Sequence, residues 1–143
     1  MVGASEADEA TLSDAHEVGV RLAELGAVVV TGGRTGVMEA VSRGAGESGG
    51  LTVGLLPGTD RREANPWIDV ALPTGLGELR NGLIVRAADV VIAVGRGYGT
   101  LSEIALALRA EVPVIGLRSW DIDGMRTAGT PAEAVRLAVG GRA

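Results

Sequence analysis

Short runs of aliphatic and β-branched residues recur along the chain, and between them apolar residues return every three or four positions. Ala27-Val28-Val29-Val30-Thr31 carries no charge, as expected for a strand covered on both faces of a sheet. Residues 52–56, 68–72, 90–94 and 112–117 read as strands on similar grounds. Leu12, Ala15, Val18, Leu22 and Leu25 fall at helical spacing, and Gly26 stands where such a helix stops. Further helices are expected over residues 36–48, 79–88 and 100–110. A last one opens at Thr130-Pro131-Ala132-Glu133, with a capping threonine, a proline at the first helical position and a glutamate at the third. This alternation predicts an α/β fold of Rossmann-like, doubly wound type, with a parallel sheet in a single domain over residues 1–143.

Two stretches fit less well. Pro57 to Pro66, with its Pro-Gly, Arg-Arg and Asn-Pro pairs, is the longest loop. Met1-Val2-Gly3 looks like the tail of a strand, and a buried strand is usually longer. Its beginning is therefore expected to be missing, or its edge to be covered by a partner chain.

Composition narrows the chemistry. A chain of 143 residues can bury a core, and with no Phe that core must be aliphatic. All thirteen basic residues are Arg, and the net charge is -5, which argues against a general nucleic-acid binder. Without Cys there is no disulfide or thiolate site, and no His, Asp and Glu spacing suggests a metal centre. His16, between Asp14 and Glu17, reads as a solvated helix residue. The first residues lack the blocks of a signal peptide, and no apolar run is long enough to cross a membrane. The expected location is the cytoplasm, with no membrane partner.

Two segments share one plan of strand, glycine cluster and helix: Gly32-Gly33-Arg34-Thr35-Gly36 and Gly95-Arg96-Gly97-Tyr98-Gly99-Thr100. Glycine lets a backbone approach a ligand closely, and the helix that follows offers amides and a partial positive charge. Together these suit a phosphate. Two such loops at the carboxyl edge of one sheet favour binding over tight turns alone. Arg34 and Arg96 would meet an anion there, although either could be a surface arginine. Thr35 and Thr100 could touch the ligand or cap helices, and Tyr98 could contact a ring. A P-loop is excluded because its lysine has no counterpart in this chain. The first turn, Gly3-Ala4-Ser5, lacks the three-glycine dinucleotide fingerprint.

Gly32-Gly33-x-x-Gly36-x-Met38 and Gly97-Tyr98-Gly99-Thr100-x-x-Glu103 resemble the Lonely Guy superfamily, whose members were long labelled lysine decarboxylases. Leu56-Pro57-Gly58, Asn65-Pro66, Pro73-Thr74-Gly75-Leu76-Gly77 and Arg80-Asn81 bring the chain nearest to the branch related to the molybdenum cofactor carrier protein. The resemblance runs from the first turn to the final helix and implies a phosphate grip at Gly97, Gly99 and Thr100. Lonely Guy enzymes release a free base and ribose 5-phosphate from nucleoside 5′-monophosphates, and their catalytic arginine and glutamate correspond to Arg80 and Glu103. Three positions depart from that pattern: Gly95-Arg96 stands for Pro-Gly, Asn81 for a lysine and Glu39 for a glycine. A decarboxylase using pyridoxal phosphate is excluded, since its Schiff base needs a lysine.

Two of these residues have rival local explanations. Glu103 could stabilise charge on a sugar or position water, or it could complete a capping box with Thr100. Asn81 could hold a polar ligand edge or cap a helix.

The expected function is a binding protein for a nucleotide-like or phosphorylated pterin ligand, requiring no cofactor of its own; its bound molecule would be a nucleotide, phosphate or molybdenum cofactor. The alternative is a phosphoribohydrolase of the cytokinin-activating type, using Arg80 and Glu103. A homo-oligomer, dimer or tetramer, is expected from the resemblance and from Ala- and Leu-rich helix faces. A weaker reading is an interaction protein with a vestigial pocket.

Overall fold

The unbroken apolar runs become strands covered on both sides. In the computed structural model, which describes residues 1–140, β5 (Val91–Val94) and β6 (Val114–Leu117) are buried at every position. The remaining strands are β1 (Val2–Gly3), β2 (Val29–Thr31), β3 (Thr52–Leu56), β4 (Val70–Pro73) and β7 (Arg126–Ala128). Five helices alternate with them: α1 (Glu9–Glu24), α2 (Val37–Glu47), α3 (Asn81–Ala87), α4 (Tyr98–Arg109) and α5 (Pro131–Gly140). All pairings are parallel, in the orders β2-β3-β4 and β1-β5-β6-β7. The Met1 amine donates to the Val30 carbonyl at 2.9 Å and links the two strand groups at β1. The chain thus winds outward from β1 in both directions, the doubly wound arrangement expected.

Successive side chains of a strand point to opposite faces, and β5 divides its residues between two cores accordingly. Ile92 and Val94 pack with Ala15, Val18 and Leu22 of α1, Val41 and Ala45 of α2, and Ala134 and Val135 of α5. Val91 and Ala93 pack instead with Ile84 and Val85 of α3 and with Ile104 and Ala107 of α4. Three helices therefore cover one face and two the other. Helices α1 and α2 approach so closely that a Cβ on Gly44 would lie 2.0 Å from the His16 carbonyl oxygen.

Local chemistry explains the element ends. The Asp8 side chain accepts from the Thr11 N–H at 2.8 Å and caps α1. At the other end, the Ala27 N–H reaches the Leu22 carbonyl at 3.0 Å around Gly26, closing the helix. The Thr130 hydroxyl accepts from the Glu133 N–H at 3.2 Å, the cap read from the sequence.

Three expectations need correction. The strand placed at 68–72 begins only at Val70, because the Asp69 carboxylate turns back to accept from the Thr52 N–H at 2.9 Å. The helix placed at 79–88 is split into a 3-10 turn at Gly77–Arg80 and α3. Finally, β1 is not an edge for a partner chain to cover: it lies between β5 and the Val30 carbonyl, with Met1 and Val2 buried. Strand β7 carries two exposed residues of three and gave no apolar signal.

No helix among the described residues is long and apolar enough to cross a membrane.

Candidate functional site

Both glycine-rich loops leave the carboxyl ends of their strands, β2 and β5, and run into α2 and α4. The first must turn through left-handed backbone. Gly36, at φ 67, caps α2, and a Cβ there would lie 2.4 Å from the Ala4 and Ser5 carbonyl oxygens, so only glycine fits. The Thr35 hydroxyl donates to the Ser5 carbonyl at 3.2 Å; it ties the loop to the β1 turn and caps nothing.

Arg80 is laid across this loop. One terminal nitrogen is 3.4 Å from the Gly32 carbonyl oxygen, and another donates to the Asn81 side-chain oxygen. The approach requires the glycine, because a Cβ on Gly32 would come within 2.7 Å of that first nitrogen. Asn81, expected to touch ligand or cap a helix, is buried and holds Arg80. Arg80 Nε is buried with no hydrogen-bond partner in the protein.

Helix α4 begins at Tyr98 with Gly97 as its N-cap, two residues earlier than expected. Thr100 is therefore inside the first turn, and the capping box of Thr100 with Glu103 does not form. Instead, Thr100 Oγ1 is buried and unpartnered, and the Glu103 side chain is buried below it on the same helix. Burial pushes the Glu103 carboxyl up to about 7, against the pull of the Met1 amine and Arg80. Arg80 is in turn lowered by its own burial, with Glu103 opposing and Arg34 adding to the effect. A buried donor without a partner costs stability, so Arg80 Nε and Thr100 Oγ1 mark where a polar ligand could be received.

The other predicted site residues divide. Arg34 faces the same field but is half exposed, and its guanidinium meets the Glu63 carboxylate at 3.0 Å. Tyr98 is 87% exposed, at the first position of α4. A Cβ on Gly99 would meet nothing within 4 Å. Arg96 and Gly95 line a crevice of about 360 Å³ beside the turn after β1, alongside Ala4, Asp8, Thr11 and Arg118. Glu39 lies apart, in a surface cleft with His16 and Arg43.

Sequence reasoning missed the groups that hold these loops. Asn65 Nδ2 donates to the Arg34 carbonyl at 2.8 Å, and Trp120 Nε1 donates to the Gly97 carbonyl at 3.2 Å. Asn65-Pro66 stood out as a motif, but its role in holding the Arg34 carbonyl did not, and Trp120 carries no local signal, since each donor comes from a distant loop. The buried Met1 amine beside Glu103 was equally invisible, because only the fold brings the two together.

The SLOG cluster4 family matches residues 1–138. An uncharacterized protein of Archaeoglobus fulgidus is 44% identical over 140 residues, 97% of this chain and 92% of that protein. Among solved structures, the molybdenum cofactor binding protein from the phototrophic bacterium Rippkaea orientalis superposes with a TM-score of 0.94 at 38% identity, covering 99% of this chain and 94% of that one. The molybdenum cofactor carrier protein of Chlamydomonas reinhardtii superposes at 0.89 and 34% identity, covering 97% and 94%.

Proposed function

The chain belongs to the SLOG cluster4 family, and on that premise we propose that it is a binding protein for a phosphorylated pterin or nucleotide-like ligand, a carrier of molybdenum cofactor or a close chemical relative. The observation that carries this is two of the buried, unpartnered atoms: Arg80 Nε, on the side chain laid against Gly32 of the first glycine loop, and Thr100 Oγ1, in the first turn of α4 after the second. A guanidinium, a hydroxyl and a helix N-terminus together favour phosphate. The likeness to proteins whose names give molybdenum cofactor as their ligand points to a pterin on the other end. The carrier works in the cytoplasm as a homo-oligomer, dimer or tetramer, and needs no cofactor of its own.

Native mass spectrometry of freshly purified protein tests the reading. The expected result is a retained mass matching a phosphorylated pterin or a nucleotide. A bare chain that also takes up neither AMP nor molybdenum cofactor would overturn it.

One observation favours the phosphoribohydrolase alternative. A carboxyl that titrates near 7 can keep a proton at neutral pH and give it to a departing base. The Asn81 and Arg96 departures and the remoteness of Glu39 weigh on the carrier side, so hydrolysis is expected to be weak. Release of adenine from AMP, by the native chain and by Glu103→Gln, separates the two. Rapid release that Glu103→Gln abolishes would make the protein an enzyme.

A further inference from the structure

Each glycine-rich loop is held by a side-chain donor from the connection one strand further out. The β2 loop is held from the segment after β3, where the buried Asn65 donates through Nδ2 to the Arg34 carbonyl at 2.8 Å. The Asn65 amide also donates to the Gly33 carbonyl at 2.9 Å, and its side-chain oxygen accepts from the Trp67 N–H at 3.0 Å. The β5 loop is held from the segment after β6, where the Trp120 indole donates to the Gly97 carbonyl at 3.2 Å. Beside it, Arg96 Nε donates to the Ser119 carbonyl at 3.1 Å.

These donors fix more than the position of a loop. In a trans peptide the C=O and N–H of one plane point in opposite directions. Turning the Arg34 carbonyl toward Asn65 turns the Thr35 N–H away from it. The Gly97 carbonyl, taken by Trp120 and by the Leu101 N–H at 2.9 Å, likewise aims the Tyr98 N–H out of the head of α4. Only the Gly97–Tyr98 plane has a glycine beside it; the Arg34–Thr35 plane lies between two non-glycine residues, and the Gly97 carbonyl is already engaged by the first turn of α4. The side-chain donors from Asn65 and Trp120 add to the restraint on each plane from the carbonyl side.

We infer that Asn65 and Trp120 are positioning residues, each orienting one peptide plane of a glycine-rich loop so that its N–H faces an anionic ligand. The inference rests on the phosphate-binding reading of these loops and adds the two groups that preorganise them. Preorganised amides hold an anion without spending binding energy on ordering the loop.

The experiment is a titration with AMP by calorimetry, with 15N-labelled protein followed by NMR. Trp120→Phe keeps an aromatic ring and removes the N–H; Asn65→Leu keeps the branched shape, adds no charge and removes both the donor to Arg34 and the acceptor of the Trp67 N–H. Val135→Ala, in α5 and remote from both loops, is the control for general loss of stability. Trp120→Phe and Asn65→Leu are each expected to weaken AMP binding at least threefold. The Tyr98 amide shift on AMP addition should shrink in the first variant and the Thr35 shift in the second. Val135→Ala should change neither affinity nor shifts. Unchanged affinity in either loop variant overturns the inference, and so does an equal loss in Val135→Ala. A native chain that binds neither AMP nor inorganic phosphate removes the binding reading itself and this inference with it.

Discussion

Arg80 pulls the pKa of Glu103 down, yet the carboxyl titrates near neutrality, because its burial outweighs both Arg80 and the Met1 amine. The same burial brings the Met1 amine down from 8.0 to about 6, with Glu103 opposing. The fold therefore seats an acid and a base, each shifted toward its neutral form, beneath the glycine loops. Between about pH 6 and 7 both are largely neutral.

Stability should follow these two shifts with opposite signs. Glu103 has a folded pKa of about 7 against 4.5 unfolded, so its contribution is complete below 4.5 and is lost as pH rises through 7. The Met1 amine has a folded value of about 6 against 8.0, so its contribution is complete above 8.0 and is lost as pH falls through 6. Glu103→Gln removes the first effect and takes away the Glu103 charge that opposes the second. The variant should melt above the native chain at pH 8, with a margin on the order of 3 kcal/mol at most, and the margin should close by about pH 5. A margin equal at both pH values would show that folding does not shift the Glu103 carboxyl from its unfolded value.

The proposed homo-oligomer has a candidate face on the side of α3 and α4. Leu79 is 80% exposed, and Leu76, Leu83 and Leu106 are exposed on the same pair of helices and the turn before them. A contiguous apolar patch marks an association surface, whereas leucines scattered singly do not, and the double substitution tests whether these act as one face. Leu79→Glu with Leu83→Glu should shift the sedimentation coefficient to that of a monomer. A native chain that sediments only as monomer at micromolar concentration would sink the proposal.

Glycine-to-alanine changes should sort by environment. At Gly44 the new methyl would lie 2.0 Å from the His16 carbonyl, so α1 and α2 must separate, at about 1–3 kcal/mol. At Gly99 the methyl meets nothing within 4 Å, in the first turn of α4, and alanine should stabilise by about 0.5–1 kcal/mol. Thermal melts of the two variants should move in opposite directions. Any AMP affinity lost in Gly99→Ala then reports contact with the ligand, since the fold is unstrained.

The sequence disclosed what is local and periodic. Residues 52–56 show their strand in five consecutive letters, and Thr130-Pro131 announces α5 because capping depends on neighbours. The glycine loops were legible for the same reason. What escaped depends on distance along the chain. Arg96 sits one residue from Gly97 yet turns into the crevice beside the turn after β1, since Ser119 holds its Nε from the loop after β6. Thr100 and Glu103 have capping-box spacing, but α4 starts earlier at Tyr98 and buries both. Spacing alone cannot tell a cap from the floor of a site when the helix start is set by Gly97.

The last prediction concerns why residue 32 is glycine. A Cβ at that position would lie 2.7 Å from an Arg80 terminal nitrogen and 2.8 Å from Met38 Sδ. One atom ends the Arg80 side chain and the other is next to the end of Met38, both on unbranched, flexible chains, so Gly32→Ala should fold with a small loss of stability. The guanidinium, however, would have to leave the Gly32 carbonyl it now approaches at 3.4 Å. A charged hydrogen bond contributes about 1.5–3 kcal/mol, so Arg80→Ala should weaken AMP or phosphate binding by roughly 10- to 100-fold. Gly32→Ala should lose part of that amount while melting close to the native chain. If the glycine acts through Arg80, the double variant should bind no more weakly than Arg80→Ala alone, because both changes remove one interaction. Additive losses would mean that Gly32 meets the ligand itself. Affinity retained in Arg80→Ala would show that the half-buried guanidinium is structural, and the anion would have to be held at the head of α4 without it.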